Sequence, residues 1–184
     1  INSSDTLVYK KSLGVFGLNF AKNSKENRLI LVEGYMDAIT LHQAGFDNAV
    51  ATLGTALTSQ QAKLIGDYAK KVIISYDSDE AGQKATRRAM EIFEKEEVTV
   101  QVLQMDGAKD PDEYIKNNGI ELFKKAMRDA LPSTEYLIRN LKSQYDVDNP
   151  DGKIMFIHGA AEVLASLQSA VEIDAYVKKV SDET

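Results

Sequence analysis

The sequence predicts a mainly parallel α/β sheet with flanking helices, followed by an all-helical carboxyl-terminal part. Three observations support that fold class. Short apolar runs alternate with helical patterns from residue 29 to residue 103, and parallel strands need such helix-sized crossovers. The first run, Leu29 to Val32, is continuous rather than alternating, as in a strand buried on both faces. After Asp110 the strand-like runs cease and only helical periodicity remains.

Leu29 to Val32 is the first predicted strand, stopped by Glu33-Gly34. A short helix from Met36 to Gln43 is punctuated by Gly45. Ala49 to Thr52 is the second strand, and Thr58 or Ser59 caps a helix that carries Leu64, Ile65, Tyr68 and Ala69 up to Lys70. Val72 to Tyr76 is the third strand. The helix Glu80 to Lys95 places Ala81, Ala85, Ala89, Ile92 and Phe93 on one face, and Val98 to Leu103 is a fourth, β-branched strand. Five helices follow over Pro111 to Asn118, Leu122 to Met127, Pro132 to Tyr145, Gly152 to Leu167 and Val171 to Val180. Turn formers and helix breakers make Asp148-Asn149-Pro150-Asp151-Gly152 the clearest loop. The expected organisation is a basic segment over 1–28, an α/β subdomain over 29–118 and a helical subdomain over 119–184.

Composition narrows the chemistry. The chain has 184 residues, 43% of them apolar and 27% charged, and no apolar run approaches a membrane span, so no membrane partner is expected. With no cysteine, thiolate metal sites are excluded, two lone histidines argue against an imidazole zinc site, and any metal is expected to be held by oxygen. The opening residues carry no charged-then-apolar leader pattern, so the chain is expected to be part of a cytoplasmic protein. A net charge of −6 argues against tight nucleic-acid binding by this stretch alone. Residues 1–28 nevertheless carry +3, with Lys10, Lys11, Lys22, Lys25 and Arg28 against Asp5 and Glu26.

Ligands of open parallel sheets sit beyond the carboxyl ends of the strands, and here those ends are acidic. Glu33-Gly34-Tyr35-Met36-Asp37 follows the first strand, Asp77-Ser78-Asp79-Glu80-Ala81-Gly82 the third, and Asp106 with Asp110-Pro111-Asp112-Glu113 the fourth. Asp77 and Asp79 are two residues apart, so in extended chain both carboxylates can face one cation. Magnesium accepts a few carboxylates, keeps its waters and takes further ligands from phosphates, which suits such a set. Gly34 permits a turn with positive φ or a close backbone approach to phosphate. Helix capping is the competing explanation for each acid. It is strongest at Asp110-Pro111-Asp112-Glu113, where Asp, Pro and Glu stand at the N-cap, N1 and N3 positions. It is weakest at Glu33, which ends an apolar strand where an unpaired carboxylate is costly. Lys84 and Arg88 can reach a phosphate, but the successive four-residue spacing of Glu80, Lys84 and Arg88 also describes a solvated helix face. His42 and His158 have no partner at ligand spacing and receive no role.

A strand ending in Glu-Gly and another ending in Asp-x-Asp before a helix resemble the TOPRIM domain of topoisomerases, primases, RecR-type recombination proteins and OLD-family nucleases. Four longer segments are similar to the DnaG-type bacterial primases in wording and order. They are Leu31 to Asp37, Ala51 to Thr58, Tyr76 to Gly82 and Lys109 to Glu113, with Tyr9-Lys10-Lys11 and Phe16-Gly17-Leu18 upstream. The resemblance implies synthesis of short RNA primers from NTPs on single-stranded DNA by two-metal nucleotidyl transfer at the replication fork. It implies Mg²⁺, with Mn²⁺ as a substitute, at Glu33, Asp77 and Asp79, and Asp37, Asp110 and Asp112 as supporting acids. Glu33 is then either ligand or general base, and Lys11 matches a lysine that contacts nucleic acid or nucleotide. Ser78 departs from the family's usual glycine between the paired aspartates. On this resemblance the zinc-binding domain, most of the basic amino-terminal half and the domain that contacts the replicative helicase lie outside this chain, which alone makes primers poorly or not at all. A TOPRIM-type metal-dependent nuclease and a RecR-like DNA-binding module are the alternatives.

Overall fold

The computed structural model describes residues 5–52 and 56–184, in two compact units, one ending at Leu131 and the other running from Pro132 to Thr184. The first unit contains α1 (Leu18–Ala21), β1 (Leu29–Val32), α2 (Tyr35–Gln43), β2 (Ala49–Ala51), α3 (Ser59–Tyr68), β3 (Lys71–Ile74), α4 (Glu80–Lys95), β4 (Thr99–Val102), α5 (Pro111–Asn118) and α6 (Ile120–Arg128). β1 pairs in parallel with β2 and with β3, and β3 pairs in parallel with β4. A two-residue strand, β5 (Leu131–Pro132), extends the sheet to the order β2-β1-β3-β4-β5. Such a strand is too short to leave a periodic signal, and Pro132 reads in sequence as a helix start. Leu53, Gly54 and Thr55, inside the Ala51 to Thr58 motif, lie outside the described residues.

All four residues of β1 are buried, as a strand covered on both faces requires. Ile30 and Val32 share a core with Ala49, Ala51 and Ile73 of the neighbouring strands and with Ala38 and Leu41 of α2. Phe123 and Met127 of α6 enter the same core, so this helix packs on the α/β layer although the sequence reading groups residues 119–184 together. The Phe123 ring meets Phe46 edge-on at a centroid distance of 5.0 Å and Tyr114 at 6.1 Å. Only two of its nine residues bury fully, and a stripe that narrow does not identify its partner in sequence.

The basic entry segment is bound to this unit. Phe16 exchanges antiparallel backbone hydrogen bonds with Ala51, and Leu18 and Ala21 are buried. Gln61, wholly buried on α3, donates from Nε2 to the carbonyls of Lys11 at 2.9 Å and Gly14 at 2.8 Å, while the Thr58 hydroxyl donates to Ser12 O at 2.7 Å. Gln61 also completes the capping box of α3 with Thr58.

The second unit comprises α7 (Ser133–Lys142), α8 (Pro150–Ala165) and α9 (Ala170–Asp182), packed around Ile138, Phe156, Ala160, Leu164 and Val180. Asn149 caps α8 by accepting from the Asp151 amide at 2.9 Å, with Pro150 inside the first turn. The buried Glu135 carboxylate accepts from Arg139 Nε at 2.8 Å and Lys179 Nζ at 2.6 Å. Burial pushes its pKa up, but these two cations outweigh that and hold it below the ordinary value. Among the described residues no helix is long and apolar enough to cross a membrane.

Phe123 is fully buried in the first core, so Phe123→Ala is expected to cost about 3–5 kcal/mol of folding free energy. A urea titration followed by far-UV circular dichroism checks this, and an unshifted midpoint would place α6 outside the core.

Candidate metal centre

The β1–β3 ladder brings two acidic strand ends together. Ser75 N donates to Leu31 O at 2.8 Å. Two residues further on, the parallel pattern calls for Asp77 N to donate to the Glu33 carbonyl. It donates instead to the Glu33 side chain, Oε1, at 3.3 Å. The third acidic loop is tied to the second by Ser78, whose amide donates to Lys109 O at 2.9 Å and whose hydroxyl donates to Ala108 O at 3.1 Å. The residue that departs from the family pattern therefore fastens the Asp77 to Asp79 loop to the loop leading into Asp110. Gly82 is required beneath that loop, because a Cβ there would lie 2.1 Å from Asp77 O.

Several acids do cap helices. Asp79 Oδ1 accepts from Gly82 N at 2.8 Å at the start of α4, and Asp110 Oδ1 accepts from Glu113 N at 2.8 Å at the start of α5. Asp37 Oδ2 reaches back to Gly34 N at 3.2 Å. Gly34 is extended, with φ −105° and ψ 150°, so of the two uses open to a glycine here the positive φ is not adopted. A Cβ at Gly34 would stand 2.9 Å from Asp37 Oδ2; the glycine makes room for that carboxylate, and its amide is already engaged. Asp112 accepts from the Thr40 hydroxyl at 3.0 Å and pairs with Lys116. Lys84 forms a 2.6 Å ion pair with Glu80 on an exposed helix face. The Lys11 amide donates to Asp5 Oδ1 at 3.1 Å, and its carbonyl accepts from Gln61. Sequence reasoning missed Gln61, whose only signal is the Thr58-x-x-Gln61 capping box.

The acids act on one another. Burial, then the Asp77 charge, raises the pKa of Glu33, with Asp79 and Asp37 adding to the effect and the Asp77 amide opposing it. Burial raises Asp37 most, with Asp110 and Asp77 contributing against the Gly34 hydrogen bond. Burial, Asp110 and Asp79 raise Asp77, while Lys109 opposes them. Asp112 is shifted downward, mainly by its hydrogen bond from Lys116, and belongs to that pair. Among the described residues no three acidic or histidine side chains converge closely enough to form a finished metal cage. The donor set fits a hard ion that keeps waters and shares its coordination with phosphate oxygens.

A family model described as Toprim-like matches residues 30–115, and one described as the DnaB-helicase binding domain of primase matches residues 134–184. The DNA primase of Clostridium acetobutylicum is 42% identical over 185 residues, covering 100% of this chain and 31% of that protein. The chain belongs to the DnaG-type bacterial primase family. The Aquifex aeolicus primase structure, of the zinc-binding and RNA polymerase domains, superposes with a TM-score of 0.78 at 34% identity, covering 100% of this chain and 44% of that one. A DnaG primase catalytic domain bound to ssDNA gives 0.77 at 29% identity, covering 99% and 60%. The fold is thus the TOPRIM-type α/β layer followed by helices. The chain spans 31% of the length of the first curated relatives it matches. The match at 134–184 bears on the expectation that the helicase-contacting domain lies outside this chain, because a model with that description falls on its last helices. The same helices also fall within the catalytic-domain structure, which covers 99% of the chain.

Raised folded-state values at Glu33, Asp37 and Asp77 mean that folding favours their protonated forms. That contribution is present below the ordinary carboxylate range and is lost as pH rises through the raised values. Asp77→Asn is therefore expected to raise the melting temperature at neutral pH in chelator, by on the order of 1–3 °C after solvent screening. The gain should shrink as pH falls into the ordinary carboxylate range. Calorimetry across a pH series checks it, and a gain independent of pH would disprove the mutual repulsion.

Proposed function

We propose that this chain holds the catalytic centre of a primase that extends RNA primers from NTPs on a single-stranded DNA template, with Glu33, Asp77 and Asp79 as the metal-holding acids. The observation that carries this reading is the Glu33 side chain seated at the Asp77 amide, with Asp79, Asp37 and Asp110 close enough to raise their neighbours' pKa values. The repulsion among them favours a divalent cation, Mg²⁺ or Mn²⁺. When bound, such an ion neutralises phosphate oxygens and lowers the pKa of a primer hydroxyl. The chain's own contribution is placement. The Asp77 amide orients Glu33, Ser78 fixes the loop that carries Asp77 and Asp79, and the cap at Asp79 occupies one of its oxygens, while Asp110 caps α5 with one oxygen and pairs with Lys109 at 3.6 Å through the other. Asp37 and Asp110 support the centre electrostatically. Asp112 contributes through its ties to Thr40 and Lys116, which join α5 to α2.

Lys11 lies in the basic segment held by Gln61 and is the proposed contact to template or nucleotide, whereas Lys84 and the Gly34 amide already have protein partners. The description of the 134–184 model supports the replicative helicase as a further partner, and the protein's place is the cytoplasm at the replication fork. The primase relatives favour polymerisation over the nuclease and RecR-like readings. The isolated chain is expected to polymerise weakly or not at all.

In the full-length protein, Glu33→Gln and Asp79→Asn should each lower NTP incorporation on single-stranded template by at least about 100-fold, a loss of roughly 2.7 kcal/mol of transition-state stabilisation. Asparagine still caps α4, so the second variant removes charge without removing the cap. Full incorporation by both folded variants would refute the centre.

A further inference from the structure

Tyr76 precedes Asp77 and is 6% exposed. Its hydroxyl is a buried side-chain oxygen with no hydrogen bond of ordinary geometry among the described residues, although the Thr52 side chain interacts with it and the Glu33 charge acts on it. A buried unpaired hydroxyl is destabilising relative to a phenyl ring of the same shape, so packing alone favours Phe at this position. The strand register shows what surrounds it. β1 pairs Leu31 with Ile74 and Val32 with Ala51. Continuing that register past the strand ends sets Thr52, Glu33 and Tyr76 in one row across three neighbouring strands. Residues in such a row leave the sheet on the same face. Glu33 is the charged member of the row, and its carboxylate is fixed on one side by the Asp77 amide.

We propose that Tyr76 is a positioning residue for Glu33, its hydroxyl donating to that carboxylate when the acid holds a divalent ion. This inference rests on the metal-centre reading. Carboxylates that hold metals are commonly oriented by such outer hydrogen bonds, and losing one weakens metal binding. A tyrosine that serves only as a core aromatic has no such coupling.

The two roles predict different outcomes for Tyr76→Phe in the full chain. Mn²⁺ binding, read from the electron paramagnetic resonance signal of the free ion, should weaken about 10-fold. The melting temperature in chelator should stay at or above that of the wild type, because no hydrogen bond of ordinary geometry is lost. Glu33→Gln and Asp79→Asn serve as references and should bind Mn²⁺ more weakly still. If Tyr76→Phe binds Mn²⁺ like the wild type while Asp79→Asn does not, Tyr76 has no positioning role and the metal centre stands. A melting temperature well below the wild type in chelator would show that the hydroxyl is already paired in the fold, and would also overturn the proposal. If the wild type itself binds no Mn²⁺, the metal-centre reading fails and this inference fails with it.

Discussion

The hydrogen bond from the Asp77 amide to Glu33 Oε1 is the constraint on which the rest of the site depends. A parallel ladder leaves each strand end with an amide in need of an acceptor, and a buried amide without one is costly. Here a side chain takes the place of the next carbonyl in the β1–β3 ladder. The acid that ends one strand is thereby fixed against the start of the acidic loop of its neighbour. The separation of the two acids follows from the strand spacing and not from the conformation of a mobile loop.

The remaining acids are positioned from this point. Ser78 joins the second loop to the third through its amide and its hydroxyl, and the hydroxyl bond is one that glycine cannot make. Gly82 lets the first turn of α4 close over Asp77 O, which brings Asp79 to its cap position. Each step uses backbone donors or small side chains. Burial first, and then the neighbouring carboxylates, raise the pKa values of Glu33 and Asp77.

Much of this was legible in the sequence. Apolar and β-branched runs located β1 to β4, and the acidic residues after them marked the candidate site, because strand burial and strand-end chemistry are properties of short segments. The partner of α6 was not legible, since Phe123 and Met127 leave too narrow a stripe to show which layer they enter. Nor was the seat of the basic segment, which depends on hydrogen bonds from Gln61 and Thr58 to residues more than forty positions away. Gly34 shows a subtler limit. The residue was recognised as special, but whether a glycine serves backbone twist or clearance depends on its neighbour, here Asp37.

Capping and metal binding are not exclusive explanations of these acids. A cap needs one oxygen acceptor, and asparagine or serine supplies it as well as aspartate does. What capping leaves unexplained is the accumulation of negative charge at Glu33, Asp37, Asp77, Asp79 and Asp110. A carboxylate near a helix amino terminus gains roughly 0.3–1 kcal/mol from the dipole. Burial and the neighbouring carboxylates raise Glu33, Asp37 and Asp77, so the ionised forms of these acids oppose the free fold. A cation is the simplest agent that would convert their charges into a favourable interaction.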